Sequence, residues 1–291
     1  MKICVLGNFS DRKCGFQNFS MQTVTALQRA GHDVLGYDGT YSLVYARREA
    51  GQESFLPPDF NSFDVIHVIW HPATFNHYNG APWSEVTALK SVWNGCPAAS
   101  CPFNDQMDVK WGVLGREKGH RQIWYPIPDW VEDLPEPNEE FTVGYSGVRG
   151  DGLGLLTEVC ETHGWQTNFS DKDIWLDQDS EIKRLARSTV NVCWYGPYDD
   201  RSGSAMVCLA SKRPLVFNAT SPMFTHLMSY ANKGDGLLAA DDLDLILQQG
   251  YETWYGIPDG VDPGIPPVSS PVLQDLSWTS AVKVLEEGWR R

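Results

Sequence analysis

Between Thr189 and Asn218 the chain reads TVNVCWYGPYDDRSGSAMVCLASKRPLVFN, and few architectures accept that order of pieces. An apolar run of strand length comes first, through Val190, Val192, Cys193 and Trp194. A polar turn follows with Gly196, Pro197, Asp199, Asp200 and Gly203. Then come a helical stretch from Ala205 to Ser211 and, after Pro214, a second strand from Leu215 to Phe217. Strand, loop, helix, strand is the unit from which parallel α/β sheets are wound.

The loop of that unit carries candidate chemistry. Ser202, Gly203 and Ser204 stand where the helix should begin, so unpaired backbone N–H groups and the positive end of the helix dipole face the loop. Arg201 adds a planar, two-pronged donor that matches phosphate oxygens. A phosphate or diphosphate is the ligand such a set takes. Serine at a helix start is also a common N-cap, so a capping Ser202 or Ser204 beside a solvated Arg201 stands as the alternative.

The same grammar opens the chain. Lys2 to Gly7 (KICVLG) predicts a buried strand, Asn8 to Gly15 a loop, and Phe16 to Ala30 a helix. Gly31 caps that helix, and His32 to Tyr37 predicts the second strand. The loop lacks GxGxxG, which disfavours NAD. Asp64 to Trp70 (DVIHVIW) predicts a third strand ending at His71, Ser84 to Val92 a helix, and Ala98 to Phe103 a strand with Asn104 and Asp105 beyond it. Ile127 to Glu140, rich in proline and acids, has the composition of a linker.

Phe141 to Tyr145 (FTVGY) restarts the pattern. A glycine-rich loop with Gly147 and Arg149 follows, then helices over Leu155–Thr162 and Glu181–Arg187. Beyond the Thr189–Asn218 unit the sequence predicts a helix begun by Pro222, a strand from Gly236 to Ala239, and a helix from about Asp241 to Gly250. A Gly/Pro tether (Gly256 to Val268) and a terminal helix (Asp275 to Trp289) complete the chain. The expectation is an α/β protein with two Rossmann-like domains facing each other across a cleft, over residues 1–135 and 141–270. Residues 271–291 would form a C-terminal helix packing back toward the first domain. Ligands of such sheets gather at the carboxyl ends of the strands, which makes Asn8, Asp38, His71, Asn104 and Asp105 candidates in the first half.

These stretches resemble the GT-B class of glycosyltransferases, in particular its retaining, metal-independent branch. The likeness is carried by MKICVLGNFS…GFQNFSMQTVTALQRAGHDV, TVGYSGVRG and STVNVCWYGPYDDRSGSAMVCLASKRPLVF. It implies a nucleoside-diphosphate sugar, UDP- or GDP-linked, as donor substrate on the second domain, an acceptor mainly on the first, and no tightly bound cofactor. Aligned on Pro214, Asp199 matches the first acidic position of the donor-sugar motif and would hold sugar hydroxyls. The second acidic position, which grips the ribose in that class, is Val207 here, and a valine accepts no hydrogen bond. Arg149 matches a basic residue used on the diphosphate, and Arg201 would supply the charge of a lysine that is missing. Tyr145, Gly147, Arg149, Arg201, Ser202, Gly203 and Ser204 thus form the expected donor site, with Asn8 and Gly15 from the first loop. The implied activity is hexosyl or pentosyl transfer to a hydroxyl, with retention favoured.

Single residues keep two readings. His71 either faces the acceptor or is a strand-end histidine bonded to backbone. Asp105 is either an acceptor-side base or the turn that Asn-Asp favours. Composition narrows the rest. A net charge of −14 opposes non-specific attraction to nucleic acid or anionic lipid. Seven scattered cysteines without a CxxC pair point to a reducing compartment, and no metal motif stands out. No apolar stretch is long enough to span a membrane, so the expectation is a soluble, cytoplasmic protein, in the host cytoplasm if the chain is viral. The acceptor (glycan, small molecule or modified DNA base) and the oligomeric state are not legible. One alternative is sugar transfer to hydroxymethylated bases of DNA, as in compact viral members of the class. Another is a non-catalytic module that binds nucleotide sugars, motivated by Val207.

Overall fold

The chain is described by a computed structural model over residues 1–9, 15–38, 60–70, 83–94, 101–112, 121–122, 125–146, 151–171, 176–195, 203–221, 224, 227–231, 233, 235–255 and 267–290. It divides into two compact units, one of Met1–Tyr125 with Trp278–Arg291 and one of Pro126–Ser277.

Unit 1 begins with β1 (Lys2–Gly7), α1 (Gly15–Arg29) and β2 (Asp33–Asp38). The strands β3 (Val65–Trp70), β4 (Leu89–Asn94), β5 (Val109–Gly112) and β6 (Arg121–Gln122) follow. They form one sheet in the order β2-β1-β3-β4-β5-β6, and every pairing is parallel. Unit 2 holds β7 (Thr142–Tyr145), α2 (Asp151–His163), β8 (Gln166–Phe169), α3 (Gln178–Leu185), β9 (Val190–Cys193), α4 (Gly203–Ala210), β10 (Leu215–Asn218), β11 (Leu237–Ala240) and α5 (Leu243–Tyr255). Its sheet runs β11-β10-β9-β7-β8, again all parallel. Both sheets therefore share the doubly wound order in which the second strand lies outside the first. The α/β class with two Rossmann-like halves is the one the sequence predicts.

The two opening helices end alike. After α1, Gly31 takes φ 86° and the N–H groups of Gly31 and His32 donate to the carbonyls of Gln28 and Leu27. After α2, Gly164 takes φ 68° and the N–H groups of Gly164 and Trp165 reach Glu161 and Cys160. This pair of bonds needs a left-handed residue, which glycine supplies without strain.

Several predicted elements are corrected. Ser84–Val92 is not a helix: a single turn at Trp83–Glu85 leads straight into β4. Val86, Leu89 and Val92 recur at a spacing that suits a helix, but Val92 and Trp93 are needed between β3 and β5, where both are buried. The described part of Ala98–Phe103 is no strand either; Cys101–Phe103 turns into a short helical turn at Asn104–Gln106, and the strand comes later as β5. Between Pro222 and β11 the described residues form no α-helix; Leu227–Ala231 is a turn. A short helix, α6 (Ser270–Asp275), precedes the predicted terminal helix, which is present as α7 (Trp278–Trp289). The break is fixed by Ile127, whose N–H donates to Leu276 O at 2.7 Å and which bridges Ser277. Residues 126–138 carry no regular secondary structure beyond that bridge. Arg213 Nη2 and Asn138 N–H fasten this stretch to the rest of unit 2 through Pro135 O and Arg187 O.

Tryptophans fill unit 1. Trp70, Trp83, Trp93, Trp111 and Trp278 are all buried. Phe19 of α1 stacks on Trp93 at 4.2 Å and meets Trp278 of α7 at 5.3 Å. Trp278 Nε1–H donates to Gln22 Oε1 at 2.7 Å, so α7 is held to α1 by a satisfied polar bond as well as by area. Inside the sheet, Trp111 Nε1–H donates to Ser91 Oγ at 2.9 Å, and the Ser91 hydroxyl and Nδ1 of buried His67 share a hydrogen bond at 3.1 Å. Burial pushes the His67 imidazole down to about 3, so it is neutral in the fold.

The unfolded chain takes up a proton on His67 near pH 6.5, whereas the folded chain refuses it down to about pH 3. That difference costs nothing above pH 6.5, where the ring is neutral in both states, and destabilises the fold as pH falls below it, by about 1.4 kcal/mol per pH unit for one proton. In His67→Gln, thermal midpoints measured from pH 7 to pH 4 are expected to fall less steeply than in the wild type; equal slopes would show that His67 does not carry this dependence.

Candidate functional site

A doubly wound sheet offers a ligand site where its strand order reverses, beyond the carboxyl ends of the two strands that flank the reversal. In unit 2 those strands are β7 and β9, paired with Tyr145 opposite Val192. The chain leaves β7 through Ser146 and enters α2 at Asp151; it leaves β9 through Trp194 and Tyr195 and enters α4 at Gly203. Two connections, 147–150 and 196–202, thus start from neighbouring strand ends, and each returns to the N-terminus of a helix. These are the two stretches in which the sequence places its basic donors.

Close packing joins the two feet. A Cβ on Gly152, in the first turn of α2, would lie 1.9 Å from the Trp194 carbonyl oxygen. Only a glycine lets α2 start directly on the end of β9. Side chains hold each foot as well. Asn218, at the end of β10, clamps the backbone of Tyr195, donating from Nδ2 to Tyr195 O and accepting from Tyr195 N–H on Oδ1. Tyr145 O receives Arg184 Nη2–H at 2.9 Å and Ser170 N–H at 3.2 Å.

Of the residues proposed for this site, Gly203 is exposed with open space about its Cα, and Ser204 is half-buried in the first turn of α4. Val207 is half-buried on the same helix. Tyr145 is fully buried, its ring facing Phe169 at 6.1 Å and Tyr195 at 6.5 Å, so the ring forms floor beneath the strand ends. Asp199, Arg201, Ser202, Gly147 and Arg149 lie outside the described residues.

In unit 1 the reversal falls between β1 and β3. Asn8 follows the end of β1, is buried, and donates its N–H to Ser20 Oγ at 3.0 Å, while Gly15 is the first residue of α1. His71 follows the end of β3 and lies outside the described residues. Asp105 is elsewhere. It sits in the turn before β5, at the amino end of that strand, fully exposed and 3.9 Å from Lys110 Nζ. Its expected place at a carboxyl end depended on a strand over Ala98–Phe103; the described Cys101–Phe103 is turn. Among the described residues no group of three or more His, Cys, Asp or Glu side chains is placed to hold a metal ion. No described helix is long and apolar enough to cross a membrane.

Arg184, Glu181, Ser170 and Asn218 are not singled out by the sequence. It holds one signal for them: Glu181 and Arg184 are three apart on a predicted helix, a spacing that pairs opposite charges.

No family model matches the sequence, and no curated protein matches it. Solved structures do. A glycosyltransferase from Rickettsia africae ESF-5 superposes with a TM-score of 0.65 at 10% identity, over 99% of this chain and 97% of that one. An alpha-glucosyltransferase in complex with UDP and a 13-mer DNA containing an HMU base gives 0.61 at 11%, over the whole of both chains. Anabaena Alr3699/HepE in complex with UDP-glucose gives 0.61 at 10%, over 99% and 98%. What is shared at such identity is the fold, the two Rossmann-like units of the GT-B class.

The contact beneath α2 is testable. Gly152→Ala is expected to cost about 1–3 kcal/mol, because backbone rather than a flexible side-chain end must yield. Gly154→Ala, two residues along the same helix with nothing within 4 Å of the added carbon, should be neutral or stabilising by about 0.5–1 kcal/mol. Denaturant melts of the two variants check both; equal stabilities would refute the close approach.

Proposed function

We propose that this chain is a glycosyltransferase that moves a sugar from a nucleoside-diphosphate sugar, UDP-linked in the first instance, to an acceptor hydroxyl. The observation that carries this reading is the reversal between β7 and β9, from which two connections bearing Arg149 and Arg201 depart in a fold shared with UDP-bound glycosyltransferases. In the transfer, the bond between the sugar's anomeric carbon and the terminal phosphate oxygen breaks, a bond to the acceptor oxygen forms, and the acceptor hydroxyl loses its proton. Negative charge gathers on the departing diphosphate. Arg149, Arg201, Ser202, Ser204 and the first N–H groups of α4 are the donors assigned to it, and fixed donors of this kind stabilise a leaving group without a metal.

Asp199 is assigned to the sugar hydroxyls. Val207 leaves the ribose without an acidic partner on α4; Asp200 is the replacement nearest in sequence. Asn8 and Gly15, from the first loop, are assigned to the donor with the residues above, and His71 to the acceptor side, on the first unit. Localisation in the cytoplasm and absence of a tightly bound cofactor belong to the same proposal.

A second acceptor reading has one observation behind it. One solved structure of this fold, matching over the full length of both chains, holds DNA containing an HMU base. A modified base in duplex DNA would have to be flipped out to react, and the net charge of −14 opposes approach to the phosphate backbone.

Calorimetry with UDP and UDP-glucose tests the main reading. Wild-type protein is expected to bind both, and Arg201→Ala to weaken UDP by about tenfold or more, the loss expected for a charge-assisted phosphate contact. No binding of any nucleotide or sugar nucleotide by the wild type would overturn the proposal. Incubation with plain and hydroxymethylated DNA plus UDP-glucose, followed by digestion to nucleosides, decides the second reading: a glucosylated nucleoside supports it, and turnover with other acceptors only excludes it.

A further inference from the structure

The helix α3 carries a charged fork that the donor-site assignment does not use. Its N-terminus is set by Asp177, which accepts from Ser180 N–H at 2.9 Å. One turn on, Glu181 and Arg184 form a two-bond ion pair, Nε to Oε2 at 2.8 Å and Nη2 to Oε1 at 2.7 Å. Their side chains are only 14% and 17% exposed. An ion pair this far out of water is a poor source of stability, because desolvation offsets most of the attraction. Its value lies in geometry, and its remaining bonds show where that geometry is directed.

Arg184 spends its other donors on the carboxyl ends of β7 and β8. Nη2 reaches Tyr145 O at 2.9 Å and Ser170 Oγ at 3.0 Å, and Nη1 reaches Asn168 Oδ1 at 2.8 Å and Asn168 O. Glu181 accepts from the Ser170 hydroxyl at 2.8 Å and from the Ser146 hydroxyl. Burial pushes the Glu181 carboxyl up, but the guanidinium and the two hydroxyls outweigh it and hold the group below the ordinary glutamate range, ionised at neutral pH. Tyr145 and Ser146 are the last two residues before the 147–150 connection. The fork therefore grips that connection by its foot from two sides, through a main-chain oxygen and a hydroxyl.

We infer that Glu181 and Arg184 are positioning residues for the diphosphate of the donor nucleotide, acting through Tyr145 O and Ser146 on the connection that bears Arg149. The inference rests on the donor-site reading above. A planar guanidinium bonded on several edges fixes direction as well as distance, which a lysine ammonium cannot do. Displacing the foot displaces the connection that bears Arg149, and misplacement of this kind is costly even from a distance.

The test compares UDP with uridine. In Glu181→Gln, which keeps size and one acceptor oxygen but loses the charge, the Kd for UDP by calorimetry is expected to rise about tenfold. The Kd for uridine by NMR titration should stay within about twofold, since a fault confined to phosphate donors leaves the nucleoside contacts intact. Arg184→Lys should behave like Glu181→Gln. Unchanged UDP affinity in a folded variant, or an equal loss for UDP and uridine, would overturn the inference while leaving the donor site standing. If neither variant folds, Ser146→Ala removes a single hydroxyl bond and is titrated with the same two ligands: weaker UDP with unchanged uridine supports the inference, and any other pattern overturns it. A wild type that binds no UDP would overturn the donor-site reading and this inference with it.

Discussion

A strand buried on both faces of a parallel sheet has its polar backbone groups paired along its length and leaves them free only at its ends. The crossover to the next strand then returns over one face with a fixed hand. In unit 2, β8 lies on one side of β7 and β9 on the other. The connection out of β7 therefore returns over one face and the connection out of β9 over the opposite face, which puts the switch point of the sheet between their starting points. That constraint generates the site before any particular side chain is considered. What the sequence adds is the means of holding the two starting points still: a glycine where α2 meets Trp194 O, a clamp from Asn218 on Tyr195, and the fork of α3 under Tyr145 and Ser146.

The two units share a strand order and differ in how their interiors are made. Unit 1 packs around tryptophans, and the few polar groups in its sheet, such as His67 and Ser91, are bonded to one another and to Trp111. Unit 2 places amides and hydroxyls within or beside its strands: Asn191 donates to Ser211 Oγ at 2.8 Å, and Asn168 donates to Ser188 Oγ at 2.9 Å and to Arg184 O. A buried amide costs free energy unless it is bonded, and once bonded it admits few alternative registers. An apolar core tolerates sliding; a bonded one does not. The unit that carries the proposed phosphate donors is the one whose interior is directional.

What can be read in the sequence follows from the same physics. Lys2–Gly7, Asp64–Trp70 and the run from Val190 through Trp194 are nearly continuous apolar stretches, as strands covered on both faces must be, and each lies within a residue or two of the strand it predicts. Strands that escape such reading include β4 (LKSVWN), β5 (VKWG) and β8 (QTNF), where lysines or amides interrupt the run. β8 is an edge strand with exposed or half-buried residues throughout, so burial left little mark on its composition. The β9–α4–β10 unit is legible because it contains strand, helix-start serines and strand in one span. The fork is not, because Glu181 and Arg184 on a short polar helix look like any solvated i, i+3 pair, and only the fold brings β7 and β8 beneath them.

The acidic character of the chain makes that fork matter more. A net charge of −14 repels a diphosphate at long range, but fields between exposed charges fade within about 8 Å at physiological ionic strength. Attraction has to come from groups in contact with the phosphates, namely helix N-termini and guanidiniums, whose energies change steeply with distance and angle. In a basic protein a loosely held loop still works in a favourable background field. Here the background is adverse, so donors must already stand where the charge will develop and spend nothing on rearrangement. On the proposed donor site, a semi-buried, ionised pair that brings little net stability is then understandable: it fixes the foot of the connection assigned to the diphosphate, whose position, rather than the charge of the whole surface, would decide whether the anion is held.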